Sequence, residues 1–305
     1  MRMSHKFSGG LFLFNLFTGS SALVGWPGGG TLVTGNAVQF NRETWEENLE
    51  QPNATGSVSV TGYDITQTWP SQQIDGWTLS VNASSDLPDS STINAGNATG
   101  QTFTGTSIFL KGPDSIQGAF SNQSALEETT WKICVAVIPN GPQEDGSAAD
   151  NGTCSFLSSQ CISDLQQGYA EKFSGSQDCY GTPPSTPSSC GSSIDTADFQ
   201  VQQFPLTSAN GTEVFVTAST SHDSGDQTAW STATKQTWSV LTLWGWNTRA
   251  KAPEDSSPLV QLSCIRASNV EAGSDTPSSG SRPTLGSSVM VILGVASLVA
   301  VCISL

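Results

Sequence analysis

The chain has 305 residues, enough to bury a sizeable core, and only 12% of them are charged, about half the usual share for a soluble domain. Net charge is −15, from 26 acidic against 11 basic residues, which argues against nucleic acid and anionic membrane surfaces as partners, since both select for Lys and Arg. A hydrophobic share of 36% with nine Trp argues against wholesale disorder.

At the N-terminus, Arg2 and Lys6 precede an apolar stretch over residues 7–17 and the small-residue run Gly19-Ser20-Ser21-Ala22. A positive start, an apolar centre and small residues at the −3 and −1 positions form a secretory signal, so residues 1–22 are expected to leave after Ala22. The Gly28-Gly29-Gly30 run that follows lacks both the spacing and the following helix of a dinucleotide fingerprint.

Beyond residue 26 the pattern alternates. Val58 and Val60 alternate with Ser57, Ser59 and Thr61; Trp77, Leu79 and Val81 form a second run, and Ile108 and Leu110 end a third. Trp131, Ile133, Val135 and Val137 lie on one face of a fourth, whose other face carries Lys132, Cys134, Ala136 and Ile138. Residues 199–204, 213–217, 237–246 and 258–265 add four more, with Gly, Pro, Asn and Asp clusters between them. One helix is expected near 157–172, because Leu157, Cys161, Leu165 and Tyr169 recur every four residues, with Ser158 or Ser159 as cap. Residues 139–152 and 181–193 read as loops. The expected fold is mainly β: one antiparallel sandwich-like domain over 26–267 with that short helix and long disulfide-tied loops.

The C-terminal residues 289–305 are 17 in number and carry no charge. Residues 268–288 before them, rich in Ser, Gly and Pro, cannot bury apolar area and read as a stalk. Small residues near Ser279, a spacer and an apolar tail make a glycosylphosphatidylinositol (GPI) attachment signal, with Ser279 as the anchored residue. The competing reading is a single spanning helix, for which 17 residues is short and for which no Lys or Arg follows.

Six N-x-[ST] sequons, at Asn53, Asn82, Asn97, Asn122, Asn151 and Asn210, fit a chain that enters the secretory pathway. Of seven cysteines, Cys302 belongs to the apolar tail. The other six, Cys134, Cys154, Cys161, Cys179, Cys190 and Cys264, imply up to three disulfides with the connectivity open. Cys154 and Cys161 are too far apart along a helix to bond to each other, so each must reach another element.

The order W-x-I-C-V (131–135), N-G-T-C (151–154), C-I-x-D-L (161–165), S-C-x-S-S (189–193), W-S-V-L-T-L-W-G (238–245) and L-S-C-I-R-A (262–267) resembles a group of filamentous-fungal, ascomycete surface glycoproteins. The resemblance covers about residues 131–305 and implies a signal peptide, a stalk, a GPI-type tail and a cell-surface setting. It implies no activity.

Catalytic chemistry has little to stand on. The one histidine outside the signal is His222, expected in an exposed polar loop, and no G-x-S-x-G elbow occurs. Asp223 and Asp226 beside it lack the spacing of a calcium loop. A copper site built on an N-terminal histidine is excluded because His5 lies in the signal. Glu46-Glu47, Glu127-Glu128 and Asp75 could supply the two carboxylates of a glycosidase, with nothing to separate them from surface acids. Trp238, Trp244 and Trp246 fall at even spacing in one strand, where they form either a core face or a carbohydrate-binding row of rings.

The sequence therefore predicts a non-enzymatic, GPI-anchored glycoprotein with a structural or adhesive role at the outer face of the plasma membrane or in the cell wall. Its expected partners are the membrane, through the lipid, and cell-wall polysaccharide; it needs no cofactor. The alternative is a carbohydrate-binding module using the tryptophan strand, and the third reading is a cell-wall glycoside-active enzyme.

Overall fold

The computed structural model describes residues 31–33, 39–94, 98–116, 129–142, 152–173, 179, 184–194, 200–203, 211–250 and 257–270. In chain order the elements are β1 (Thr31–Val33), β2 (Gln39–Asn41), α1 (Arg42–Leu49), β3 (Ala54–Tyr63), β4 (Gln73–Pro88), β5 (Thr92–Asn94), β6 (Thr102–Lys111), β7 (Trp131–Pro142), α2 (Ser159–Phe173), β8 (Gln200–Gln203), β9 (Thr212–Ala218), α3 (Gln227–Lys235), β10 (Gln236–Trp246), β11 (Leu259–Ile265) and β12 (Asn269–Val270). No helix of the described residues is long and apolar enough to cross a membrane.

Two antiparallel sheets face each other. One has the order β12-β3-β4-β6-β9 and the other β11-β10-β7-β8. Because successive strand residues alternate sides, each contributes one apolar face to a shared interior. Val58, Trp77, Leu79, Val81, Ile108 and Leu110 come from the first sheet, and Trp131, Ile133, Val135, Val137, Val240 and Trp244 from the second. The mainly β, antiparallel expectation is met, and every strand read from alternation is present. Sheet pairing continues past Ala267: Asn269 pairs with Thr55 and Val270 with Ala54.

The outer face of the four-stranded sheet is apolar too, which is why β7 reads as a continuous run. Cys134, Ala136 and Ile138 of β7, with Leu241, Leu243, Leu262 and Cys264, lie beneath Leu157, Cys161, Leu165 and Tyr169. Cys161, Leu165 and Tyr169 recur along α2 as the sequence predicts, and Leu157 lies just before its first turn. Ser158 caps the helix, its Oγ accepting from the Cys161 N–H at 3.1 Å. Burial pushes the Tyr169 phenol well above its ordinary pKa.

All six cysteines outside the tail are paired, as Cys134–Cys179, Cys154–Cys264 and Cys161–Cys190, with Cα–Cα distances of 5.5, 5.1 and 4.7 Å. Cys154 and Cys161 reach separate partners. The Gly152–Cys264 bridge beside the second disulfide holds the segment entering α2 against β11. Every disulfide therefore fastens the α2 layer or its flanking loops to the same sheet face or to one another.

Two helices were not expected. α1 begins at Asn41, whose Oδ1 accepts from the Glu43 N–H at 2.9 Å, and it buries Trp45 and Leu49. α3 begins at Asp226, whose Oδ1 accepts from Thr228 N–H at 2.7 Å, and it buries Trp230 and Thr234. Each is short and uses two inward side chains at i and i+4, which gives no sustained helical period. With β2 and Leu87, α1 covers one part of the outer face of the five-stranded sheet, over Phe103, Val216 and Ala218.

Candidate functional site

The most unusual group in the described fold is a carboxyl beneath α1. Along β6 and β9, Ser107 pairs with Val216 and Ile108 with Phe215, but Phe109 pairs with Glu213. Val214 is the extra residue of a β-bulge there. Strict alternation would turn Glu213 into the inter-sheet core; the bulge instead sends Val214 inward beside Phe215 and swings Glu213 to the outer face, which Ser107 and Phe109 share. Sequence alternation alone cannot reveal this, and Glu213 was not among the expected site residues.

Trp45 closes the site. Its indole N–H donates to Ser107 Oγ at 3.1 Å, and its ring rests on Gly105, where an added Cβ would come within 2.8 Å of Trp45 and 2.6 Å of Leu87. Glycine is what lets α1 approach the sheet this closely. The helix is fastened further by Asn48, whose Nδ2 donates to Ser91 Oγ and whose carbonyl accepts from Ser84 Oγ.

Glu213 is 6% exposed, with neither carboxyl oxygen reaching solvent. Burial raises its pKa from 4.5 to about 7, against the opposing pull of the Ser107 hydroxyl and the Trp45 indole N–H. Two charged groups on α1 act at longer range: Glu46 raises the value further and Arg42 lowers it. Arg42 itself pairs with Glu46. The arrangement can hold a proton near neutral pH, but a substrate could reach the carboxyl only if α1 lifted away. It has the chemistry of an acid and the access of a core residue.

A second polar cluster lies at His222. This histidine is 8% exposed, not solvent-exposed as the sequence suggested. Its loop folds back on the start of β6, where its backbone exchanges hydrogen bonds of 2.8 and 2.9 Å with Thr102. Nδ1 lies 2.9 Å from the Asp223 carbonyl, which can only accept, so Nδ1 carries a proton; in the neutral ring Nε2 takes the Thr104 hydroxyl hydrogen at 3.0 Å. Asp86, at φ 53°, accepts at Oδ1 from Gly225 N–H and Thr102 Oγ1. Thr104 is 2% exposed, so this hydroxyl–imidazole pair pins a loop and offers no nucleophile to a substrate. Asp226 is used in capping α3, and the Thr228 N–H holds its carboxyl below the usual range. No group of three or more His, Cys, Asp or Glu able to hold a metal occurs among the described residues.

The tryptophan row faces inward. Trp238 is 5% and Trp244 1% exposed; Trp244 meets Trp77 edge-on at 4.6 Å and Trp238 lies 4.9 Å from Phe215. Neither indole N–H has a hydrogen-bond partner among the described residues. These two form a core face, not an exposed row of rings. Trp246 alone is half-buried, packed 4.5 Å from Trp69 at one end of the sandwich, near Tyr63 and Trp131.

Of the acids considered for glycoside chemistry, Glu46 and Glu47 lie exposed on α1 and Asp75 is exposed on β4, far apart in the chain and not gathered in one cleft by any described contact. Glu127 and Glu128 lie outside the described residues. Asn53 and Asn82 are both half-buried beside the outer face of the five-stranded sheet, while Asn97, Asn122, Asn151, Asn210 and Ser279 lie outside the described residues. No family model, curated protein or solved structure matches this chain.

Proposed function

We propose that this chain is a non-enzymatic glycoprotein held at the outer cell surface or cell wall by a GPI anchor, with a structural or adhesive role. The observation that carries the reading is the disulfide pattern. Three crosslinks with unstrained Cα spacing persist only in an oxidising compartment, and they fasten a whole covering layer to the sandwich. The apolar ends, the stalk and the six sequons supply the route and the address. The two best-formed polar clusters, at Glu213 and His222, are closed to substrate, which favours a scaffold over a catalyst.

The reading is tested by expressing the full chain and a variant lacking residues 289–305 in secreting cells. The full chain should stay with the cells and the truncated chain should pass into the medium. In both, none of the six cysteines should react with a thiol-alkylating reagent before reduction. A truncated chain retained in the cytoplasm with free thiols overturns it.

One observation favours a second, carbohydrate-binding reading: the half-buried Trp246 packs 4.5 Å from Trp69 at the end of the sandwich, where the half-buried Tyr63 and Trp69 both rest on Trp131. Paired aromatic faces are what a sugar ring stacks upon.

A further inference from the structure

Among the described residues, the outer faces of the two facing sheets are covered unequally. α2 covers the four-stranded sheet. On the five-stranded sheet the α1 layer covers Phe103, Ser107, Val216 and Ala218 and reaches Glu213, the cross-strand neighbour of Phe109. The remaining outer face carries Ser57 and Ser59 of β3, Thr78 and Ser80 of β4 and Phe109 of β6, in cross-strand rows Ser57–Ser80–Phe109 and Ser59–Thr78–Lys111. It is a floor of small hydroxyl side chains with one half-buried aromatic ring in it.

Asn82 stands at the border of that floor. It is paired with Thr55 on one side and Ser107 on the other, and it begins the sequon Asn82-Ala83-Ser84. Phe109 is two residues along β6 from Ser107, so it is the diagonal neighbour of Asn82 on the same face, about 7–8 Å away by sheet geometry. The neighbouring sequon is differently placed. Asn53 precedes β3, and its amide oxygen accepts from both the Ser85 N–H at 2.8 Å and Ser85 Oγ at 3.2 Å. Asn82 takes part in none of the hydrogen bonds that tie its neighbours Ser84 and Ser107 to α1.

We propose that Asn82 carries an N-linked glycan whose first sugar lies against Phe109, and that this glycan is the missing cover of the five-stranded sheet. The inference rests on the secretory reading above. In the transfer, Asn82 Nδ2 forms a bond to the anomeric carbon of a lipid-pyrophosphate-linked N-acetylglucosamine. The carbon–oxygen bond to the pyrophosphate breaks, the lipid pyrophosphate leaves, and the amide gives up one proton. Ser84, the hydroxyl residue of the sequon, is 3% exposed and donates to the Asn48 carbonyl of α1. The acceptor sequence is thus closed once α1 docks, so the sugar must be added before this layer forms. The apolar face of the sugar then stacks on the Phe109 ring, and its hydroxyls meet the serine and threonine floor.

The test uses the full chain expressed in a eukaryotic host and recovered from its cell surface. Enzymatic deglycosylation in heavy-oxygen water followed by peptide mass spectrometry should mark Asn82 as converted to aspartate. Thermal melting of Phe109→Ala, Asn82→Gln and the double variant should then be non-additive, with Phe109→Ala lowering the Tm by at least about 2 °C only where Asn82 is glycosylated. Enzymatically deglycosylated protein, with and without Phe109→Ala, serves as the second unglycosylated background should Asn82→Gln fail to fold. An unmodified Asn82 alongside other occupied sequons overturns the proposal and leaves the secretory reading standing, whereas no occupied sequon at all overturns both. Additive effects of Phe109→Ala and loss of the sugar overturn the stacking.

Discussion

The indole of Trp45 donates to the hydroxyl of Ser107 across 62 residues of chain, and this 3.1 Å bond closes α1 over the Glu213 carboxyl. Two of the three groups are present only because of local irregularity: the bulge at Val214 delivers the carboxyl, and Gly105 admits the indole. The folded chain keeps Glu213 protonated between pH 4.5 and about 7, while the unfolded chain releases that proton. Stability from this group is therefore level below the window and falls as pH rises through it, by about 3 kcal/mol in all. Denaturant midpoints measured from pH 4.5 to 7.5 should fall for the native chain, and Glu213→Gln should flatten that component. An equal slope in both proteins contradicts the role given to Glu213.

Trp238 and Trp244 fill the space between the sheets, so truncating either should cost about 3–5 kcal/mol of stability. Trp246→Ala should cost much less, because its ring is only half-buried. Glucan and chitin pull-down with the three variants separates packing from recognition. Binding that is lost with Trp246→Ala at unchanged Tm supports the carbohydrate reading; binding by none of the proteins, native chain included, removes it.

The three disulfides should differ in what they contribute. Cys154–Cys264 closes a sequence separation of 110 residues and Cys161–Cys190 one of 29. On the chain-entropy account, replacing the first pair by Ala should destabilise the protein by about 1 kcal/mol more than replacing the second. Chemical denaturation of the two double variants checks the order.

Much of this architecture was legible in the sequence, and the exceptions share a cause. Strands such as β7 declare themselves because both faces are apolar, Trp131 to Val137 against one layer and Cys134 to Ile138 against the other. α2 was readable from four apolar side chains at a regular spacing. α1 and α3 were not, since Trp45 with Leu49 and Trp230 with Thr234 are single i, i+4 pairs. Glu213 was hidden because a bulge changes the face of a side chain without changing the composition around it. His222 was misread as exposed because its burial comes from Thr102 and Thr104, 120 and 118 residues away. The inward direction of Trp238 and Trp244 was one of two readings their spacing allowed, and only the opposing sheet decides between them.

The central claim is the surface address, and it is tested most directly by treating intact expressing cells with a phosphatidylinositol-specific phospholipase. The account predicts release of a glycosylated, disulfide-bonded ectodomain into the medium. A protein that stays with the membrane after complete treatment, while a known lipid-anchored control is released, contradicts it.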